Sequence, residues 1–355
     1  MVRDFFVKQY IGARPPQTSH GNSCHLARIS HLLPPAILVL SLAGLFTGCS
    51  NQGAPTAPQP PASASKLETA AATCMRSNDL ACAESNWSEY LKLRPTDVKA
   101  IANLGFVFNK EDKDQQAIAQ FEKDISMGEG AYDLFAFYAD SLAKVGRTDE
   151  AIDWSYKTLK LSPTLVDVRG KLSQLLVLKK HNYEALTLLA EFDQYLDANG
   201  RRPYFLGSRM AIESAMHDIP TNGSEEAKSL RLVKLGEVFY APVSVGESGT
   251  RAFVVDTGAS SVVINDDFMT ASKAKYSIVH AHVTAKLADG RRVDAKEVVI
   301  DHMKVGRFEL NNVKAMSCGS CELLLGSNAL SMFNMQMAQI KGVDVATLSQ
   351  RNPAQ

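Results

Sequence analysis

Between two apolar strands in the stretch AFVVDTGASSVVIN, residues 252–265, stands a single carboxylate, Asp256. Phe253, Val254 and Val255 precede it, and Val262 to Ile264 follow. An Asp in such a place must be solvated, paired or hydrogen-bonded. Thr257, Gly258, Ala259 and Ser260 supply a tight turn and two hydroxyls. Gly258 lets backbone N–H groups approach the carboxylate, and Ser260 can donate to its outer oxygen. Donors of this kind favour the ionised form. A carboxylate held so can serve chemistry. It can equally do no more than cap a turn between strands. The loop alone leaves both readings open.

Other reactive residue types point elsewhere more weakly. His280 and His282 can share one face of a strand, but no third ligand with metal-site spacing is near, so no metal is assigned. No G-x-S-x-G or phosphate-cradling loop occurs, and no cofactor is expected. Cys318-Gly-Ser-Cys321 is a C-x-x-C pair with too few neighbours for structural zinc. A redox pair usually opens a helix that activates one thiol, whereas ELLLG reads as a strand. Cys74 and Cys82 form a second local pair, eight residues apart. Given export, both pairs are expected to be structural disulfides.

The elements that must position Asp256 follow from periodicity. From about residue 230, VFYAPVSV, RAFVVDTG, SSVVIN, HVTAKL, RRVDAKEVVID, FELNNVKAMS and ELLLG are short, Val-rich and bounded by Gly, Asp and Asn. That is the pattern of a small all-β domain. Asp289-Gly290 is a strong hairpin signal, and ALSMFN can make one short helix. Upstream, Ala83, Ala117, Ala151 and Ala185 recur every 34 residues, each with a small residue twelve positions before it: Ala71, Gly105, Ala139 and Ser173. Trp87, Phe121, Ser155 and Leu189 follow four positions later, and Pro95 and Pro163 lie two periods apart. This register resembles the tetratricopeptide (TPR) repeat, which implies stacked antiparallel helix pairs with a concave face for an extended peptide or partner helix. A spacer or dimerisation scaffold is the competing use.

FVVDTGASSVVI, LADGRRV and CELLLGSNALSMF, in that order, resemble the single-domain bacterial retropepsin-like aspartic proteases over about residues 232–340. The resemblance implies that Asp256 is catalytic and that Thr257, Gly258, Ala259 and Ser260 form the active-site loop. It makes Asp289 and Gly290 the flap, and Leu324, Leu325 and Gly326 the hydrophobic-Gly element beneath the site. Ser327, Asn328 and Ala329 depart from the bulkier residues usual there. The chemistry uses two carboxylates sharing one proton, one as base on water and one as acid to the peptide carbonyl. No second Asp-Thr-Gly or Asp-Ser-Gly occurs; DVRG, DANG and LADG lack the apolar strand, the hydroxyl residue, or both. One copy implies a homodimer with Asp256 of each subunit on the two-fold axis, and Thr257 bonding across it.

The expected organisation is therefore an all-α TPR solenoid followed by a small all-β retropepsin-like barrel. Residues 1–49 read as a lipoprotein-type signal: a basic start, an apolar run too short to span a membrane, and LFTGC, in which Cys49 would carry lipid. Ser50 favours the outer over the inner membrane, facing the periplasm of a bacterial envelope. Residues 50–65 are a Pro/Ala/Ser tether. Repeats cover 66–198, a capping helix and linker 199–229, the protease-like domain 230–342 and a tail 343–355. Net charge is zero with 38 basic and 38 acidic residues, which offers nucleic acid no attractive field. The function implied is an aspartic endopeptidase acting on an extended peptide or protein. The alternative is an inactive envelope scaffold with the same fold, and a redox protein ranks last.

Overall fold

The structure is a computed structural model that describes residues 62–351 apart from 129, 218–227, 287–289, 320 and 341–342. Cys49, the signal segment, most of the tether and Asp289 lie outside the described residues. The chain divides into two compact units, one ending at Thr96 and one beginning at Asp97.

The first unit contains helices α1 (Ala62–Arg76) and α2 (Leu80–Leu93). Helix α1 starts at Ala62, inside the stretch read from sequence as tether. Asp79 caps α2 by accepting from the Cys82 N–H at 3.1 Å. Cys74 and Cys82 are disulfide-bonded across this hairpin.

The second unit continues with α3 (Val98–Lys110), α4 (Asp114–Ser126), α5 (Tyr132–Lys144), α6 (Thr148–Leu161), α7 (Val166–Leu178), α8 (Asn182–Ala198) and α9 (Leu206–His217). The 34-residue register is a packing rule. Ala117, Ala151 and Ala185 are fully buried, as are Phe121 and Leu189. A Cβ on Gly105 would stand 2.6 Å from the Phe121 ring, so only glycine lets that ring seat between α3 and α4. Helix α9 falls within residues 199–229, read from sequence as a capping helix and linker.

The strands are β1 (Leu230–Leu235), β2 (Val238–Val245), β3 (Arg251–Val255), β4 (Val262–Asn265), β5 (Tyr276–Lys286), β6 (Arg292–Val305), β7 (Phe308–Cys318), β8 (Leu324–Leu325), β9 (Phe333–Ile340) and β10 (Val343–Gln350). Helix α10 (Asp266–Ala271) follows β4, and α11 (Ser327–Leu330) follows β8. Strands β2, β3, β8, β4, β7 and β6 pair in that order, and β6 pairs back onto β2, which closes a barrel. Phe253, Val262, Ile264, Val298, Ile300 and Leu325 fill it and are fully buried.

Three strands went unread in the sequence. β1 pairs both β2 and β10, and β10 pairs β9. Residues 343–350, read as the start of a tail, are thus a strand in the sheet. Its inward residues Ala346 and Leu348 join the barrel core. One partner, β1, lies more than a hundred residues earlier, and the other, β9, directly precedes it in the chain. The barrel and helices α6–α8 share apolar packing, with Val233 and Leu235 of β1 among Ile152, Tyr156, Leu172 and Leu188.

Candidate active site

Asp256 lies where β3 ends, and the topology explains its setting. Strands β3 and β4 are consecutive in the chain but not neighbours in the sheet: β8 lies between them, parallel to β3 and antiparallel to β4. The connection from β3 to β4 must therefore cross over the end of β8, and Asp256 to Ser261 form that crossing.

Two backbone amides hold the carboxylate. The Gly258 N–H donates to Asp256 Oδ1 at 2.8 Å and the Ala259 N–H at 3.2 Å. The Asp256 N–H donates to the Leu325 carbonyl at 3.2 Å. Both donors to the carboxylate among the described residues are thus backbone groups, and Ser260 contributes its carbonyl to the loop instead. That carbonyl accepts from the Asn328 N–H at 3.3 Å, and the Ala259 carbonyl accepts from the Ser327 N–H at 2.8 Å. Asp256 is half-buried, and Thr257, Gly258 and Ser260 are exposed. Among the described residues no donor reaches the second carboxylate oxygen, Oδ2.

Leu324, Leu325 and Gly326 are brought directly under this loop. Leu325 is fully buried in the barrel core. Gly326 is where the chain leaves β8 beneath the crossing. A Cβ there would stand 2.1 Å from the Ser261 carbonyl oxygen and 3.0 Å from that of Ala259. The departure at Ser327 and Asn328 also acquires a role. Ser327 Oγ donates to the Thr257 carbonyl at 2.9 Å. Asn328 Oδ1 accepts from the Val262 N–H at 3.0 Å, and Nδ2 donates to the Lys314 carbonyl at 2.7 Å. One side chain thus ties α11 to β4 and β7. The sequence signal available for this was an Asn at a helix start, which fits capping as readily as pocket shape.

The expected flap is the hairpin of β5 and β6, whose arms pair from Tyr276↔Ile300 to Lys286↔Arg292 with two irregularities near His280. Gly290 has φ +85°, a left-handed turn conformation suited to glycine. Strand β5 is exposed along most of its length. No hydrogen bond among the described residues joins Gly290 to the Asp256 loop. His280 pairs with Glu297 at 2.7 Å and His282 with Asp294 at 3.4 Å, across the two arms. Among the described residues no group of three or more His, Cys, Asp or Glu is placed to hold a metal. Cys318 and Cys321 are disulfide-bonded and buried against Ala295, so they present no free thiol.

Residues 241–332 match the family model described as "gag-polyprotein putative aspartyl protease". That segment spans β2 through α11, including the Asp256 loop and Gly326. The strand-rich domain is thus similar to retropepsin-like aspartic proteases, and the helical region resembles TPR proteins. Among solved structures, the chain is similar to a retropepsin-like aspartic protease from Rickettsia conorii, at 21% identity over 34% of this chain and 90% of that one, with a TM-score of 0.26. It is also similar to YrrB, a TPR protein with an unusual peptide-binding site, at 21% identity over 37% and 73% of the two chains, TM-score 0.33. A tetratricopeptide repeat protein from Parabacteroides merdae matches at 19% identity over 44% and 60%, TM-score 0.37. No curated protein matches the sequence.

Proposed function

We propose that this protein is an aspartic-type endopeptidase that works as a homodimer, with Asp256 of each subunit supplying half of the catalytic dyad. The observation that carries the reading is the Asp256 loop. A carboxylate with one oxygen held by two amides and the other free sits on a crossing locked by Gly326 and Asn328. Two such carboxylates within hydrogen-bond reach cannot both ionise and so share a proton. The ionised one takes a proton from the attacking water. The protonated one donates to the peptide carbonyl oxygen as the tetrahedral intermediate forms. Thr257, exposed beside Asp256, is available to bond across the two-fold axis. The β5–β6 hairpin would fold over an extended substrate.

In this reading the helical repeats bind the substrate or a protein partner, and the N-terminal segment anchors the protein through lipid on Cys49 at the bacterial envelope, facing the periplasm. The test is cleavage of a peptide library by the purified chain, compared with Asp256→Asn. The expected loss is roughly 10²- to 10⁴-fold in kcat, the range for removing a general acid–base. Equal turnover by the two proteins would sink the peptidase reading and leave a scaffold of the same fold.

A further inference from the structure

Strand β8 is only two residues long, yet the edge of β3 that it serves is longer. Along an extended strand, alternate residues present their N–H groups to the same edge. On the β8 edge of β3 these belong to residues 250, 252, 254 and 256. The Val254 N–H goes to the Leu323 carbonyl at 2.9 Å and the Asp256 N–H to the Leu325 carbonyl at 3.2 Å. No strand continues beside Ala252 and Thr250, and both are buried, at 2% and 8% exposure. A buried N–H left unpaired there would lose its water without recompense.

Helices fill the gap. Gln194 on α8 takes the Ala252 N–H on Oε1 at 2.7 Å and donates from Nε2 to the Ala252 carbonyl at 2.9 Å. That is the two-bond pattern of a paired strand residue, made by one side-chain amide. Glu213 on α9 takes the Thr250 N–H on Oε1 at 2.6 Å, and Arg209 Nη2 donates to the Thr250 carbonyl at 2.7 Å. The brace is itself held. Arg209 Nη1 bonds Asp193 Oδ2 at 3.1 Å, and Asp193 Oδ1 accepts from the Tyr204 and Phe205 N–H groups, each at 2.8 Å. Arg209 and Asp193 are both buried. Glu213, Gln194, Leu323 and Leu325 therefore form one row of acceptors whose last rung is the backbone of Asp256.

We propose that Gln194 and Glu213 are positioning residues that extend β8 as a side-chain strand, so that the helical array fixes the register of β3 and the place of the Asp256 carboxylate. The inference rests on the peptidase reading for its catalytic consequence, but not for the brace itself. The experiment compares the full chain as wild type, Gln194→Ala, Glu213→Ala, Glu213→Gln and Asp256→Asn. One readout is steady-state cleavage of a quenched fluorogenic peptide that the wild type cuts. The other is amide hydrogen exchange over residues 250–256. Gln194→Ala and Glu213→Ala should lower kcat by roughly 10- to 100-fold with KM within about twofold, as expected of a displaced catalytic group. Exchange should quicken over 250–256 in both. Glu213→Gln keeps the acceptor oxygen and should retain wild-type kcat. Unchanged kcat and exchange in Gln194→Ala overturn the inference. So does a fall in Glu213→Gln as large as in Glu213→Ala, because charge rather than the acceptor would then matter. If Gln194→Ala does not fold, the two Glu213 variants decide. If the wild type cleaves no better than Asp256→Asn, the peptidase reading has failed. Exchange then decides the brace alone: quickening confined to 250–256 supports it, and no change refutes it.

Discussion

Replacing Gly326 by alanine adds one methyl group at the seam where β8 passes beneath the Asp256 crossing. Its carbon would stand 2.1 Å from the Ser261 oxygen and 2.5 Å from the Ser261 carbonyl carbon. Ordinary carbon–oxygen contacts begin at about 3.3 Å, so the two segments must part by about an ångström. Both neighbours are backbone, and neither can rotate away. The seam carries the bonds from Ser327 N–H to the Ala259 carbonyl and from Asn328 N–H to the Ser260 carbonyl, at 2.8 and 3.3 Å. Losing both costs about 1–3 kcal/mol, and overpacking a tight site costs about 1–3 kcal/mol more, for a total of about 2–6 kcal/mol. The assay is urea unfolding followed by circular dichroism. Gly319→Ala, where an added Cβ meets nothing within 4 Å, is the control for glycine replacement itself. If Gly326→Ala stays within about 0.5 kcal/mol of that control, the seam does not constrain the loop and the reasoning fails. In the folded fraction, peptide cleavage should fall as well, because the same displacement moves the amides of Gly258 and Ala259.

Two further outcomes follow from buried charge. Arg169 is 1% exposed and donates to the Leu188 and Pro163 carbonyls and to Glu191, at 2.7, 2.8 and 2.9 Å. Arg169→Ala should cost about 3–5 kcal/mol in denaturant unfolding by stranding Glu191, and a loss under about 1 kcal/mol would refute that role. Burial by itself would raise the pKa of Asp140, but bonding and charge from Lys171, with Asn109 and Lys144, outweigh it and hold the carboxyl below its usual range. A depressed carboxyl stabilises the fold above its unfolded value of about 4 and loses that contribution as pH falls through the folded value. Asp140→Asn should therefore narrow its Tm deficit against wild type as pH falls below about 4. Burial raises the Glu191 pKa, with Arg169 opposing. Its contribution runs the other way, fading as pH rises, so the difference between the two proteins is the quantity to follow. A deficit constant from neutral to acid pH would contradict the Asp140 assignment.

How far the site could be read from residues varies along the chain. Asp256, Thr257 and Gly258 announce themselves because a polar turn between two apolar runs is a local contrast. Leu324, Leu325 and Gly326 were legible as a motif, but the reason for glycine was not. Its neighbours Ala259 and Ser261 lie more than sixty residues earlier, and only the crossing over β8 brings them together. Asn328 looked like a departure from a bulkier pocket, and the fold makes it a tie between α11, β4 and β7. Strand β9, FNMQMAQI, alternates apolar and polar residues but lacks the Val-rich composition that marked the other strands. Its neighbour β10, VDVATLSQ, carries two valines, but its place in the sheet depends on β1, more than a hundred residues earlier.

Order along the chain, the 34-residue packing register and the polar turn around Asp256 are properties of neighbouring residues, set by periods of about 3.6 and 2, and so they stand in the primary structure. Closure of the barrel, the insertion of β8 between β3 and β4, and the completion of the β3 edge by Gln194 and Glu213 depend on partners 37 to more than 60 residues apart. Such pairings are selected by which arrangement leaves the fewest buried amides unpaired and the least apolar surface wet, a criterion that applies only to the whole fold.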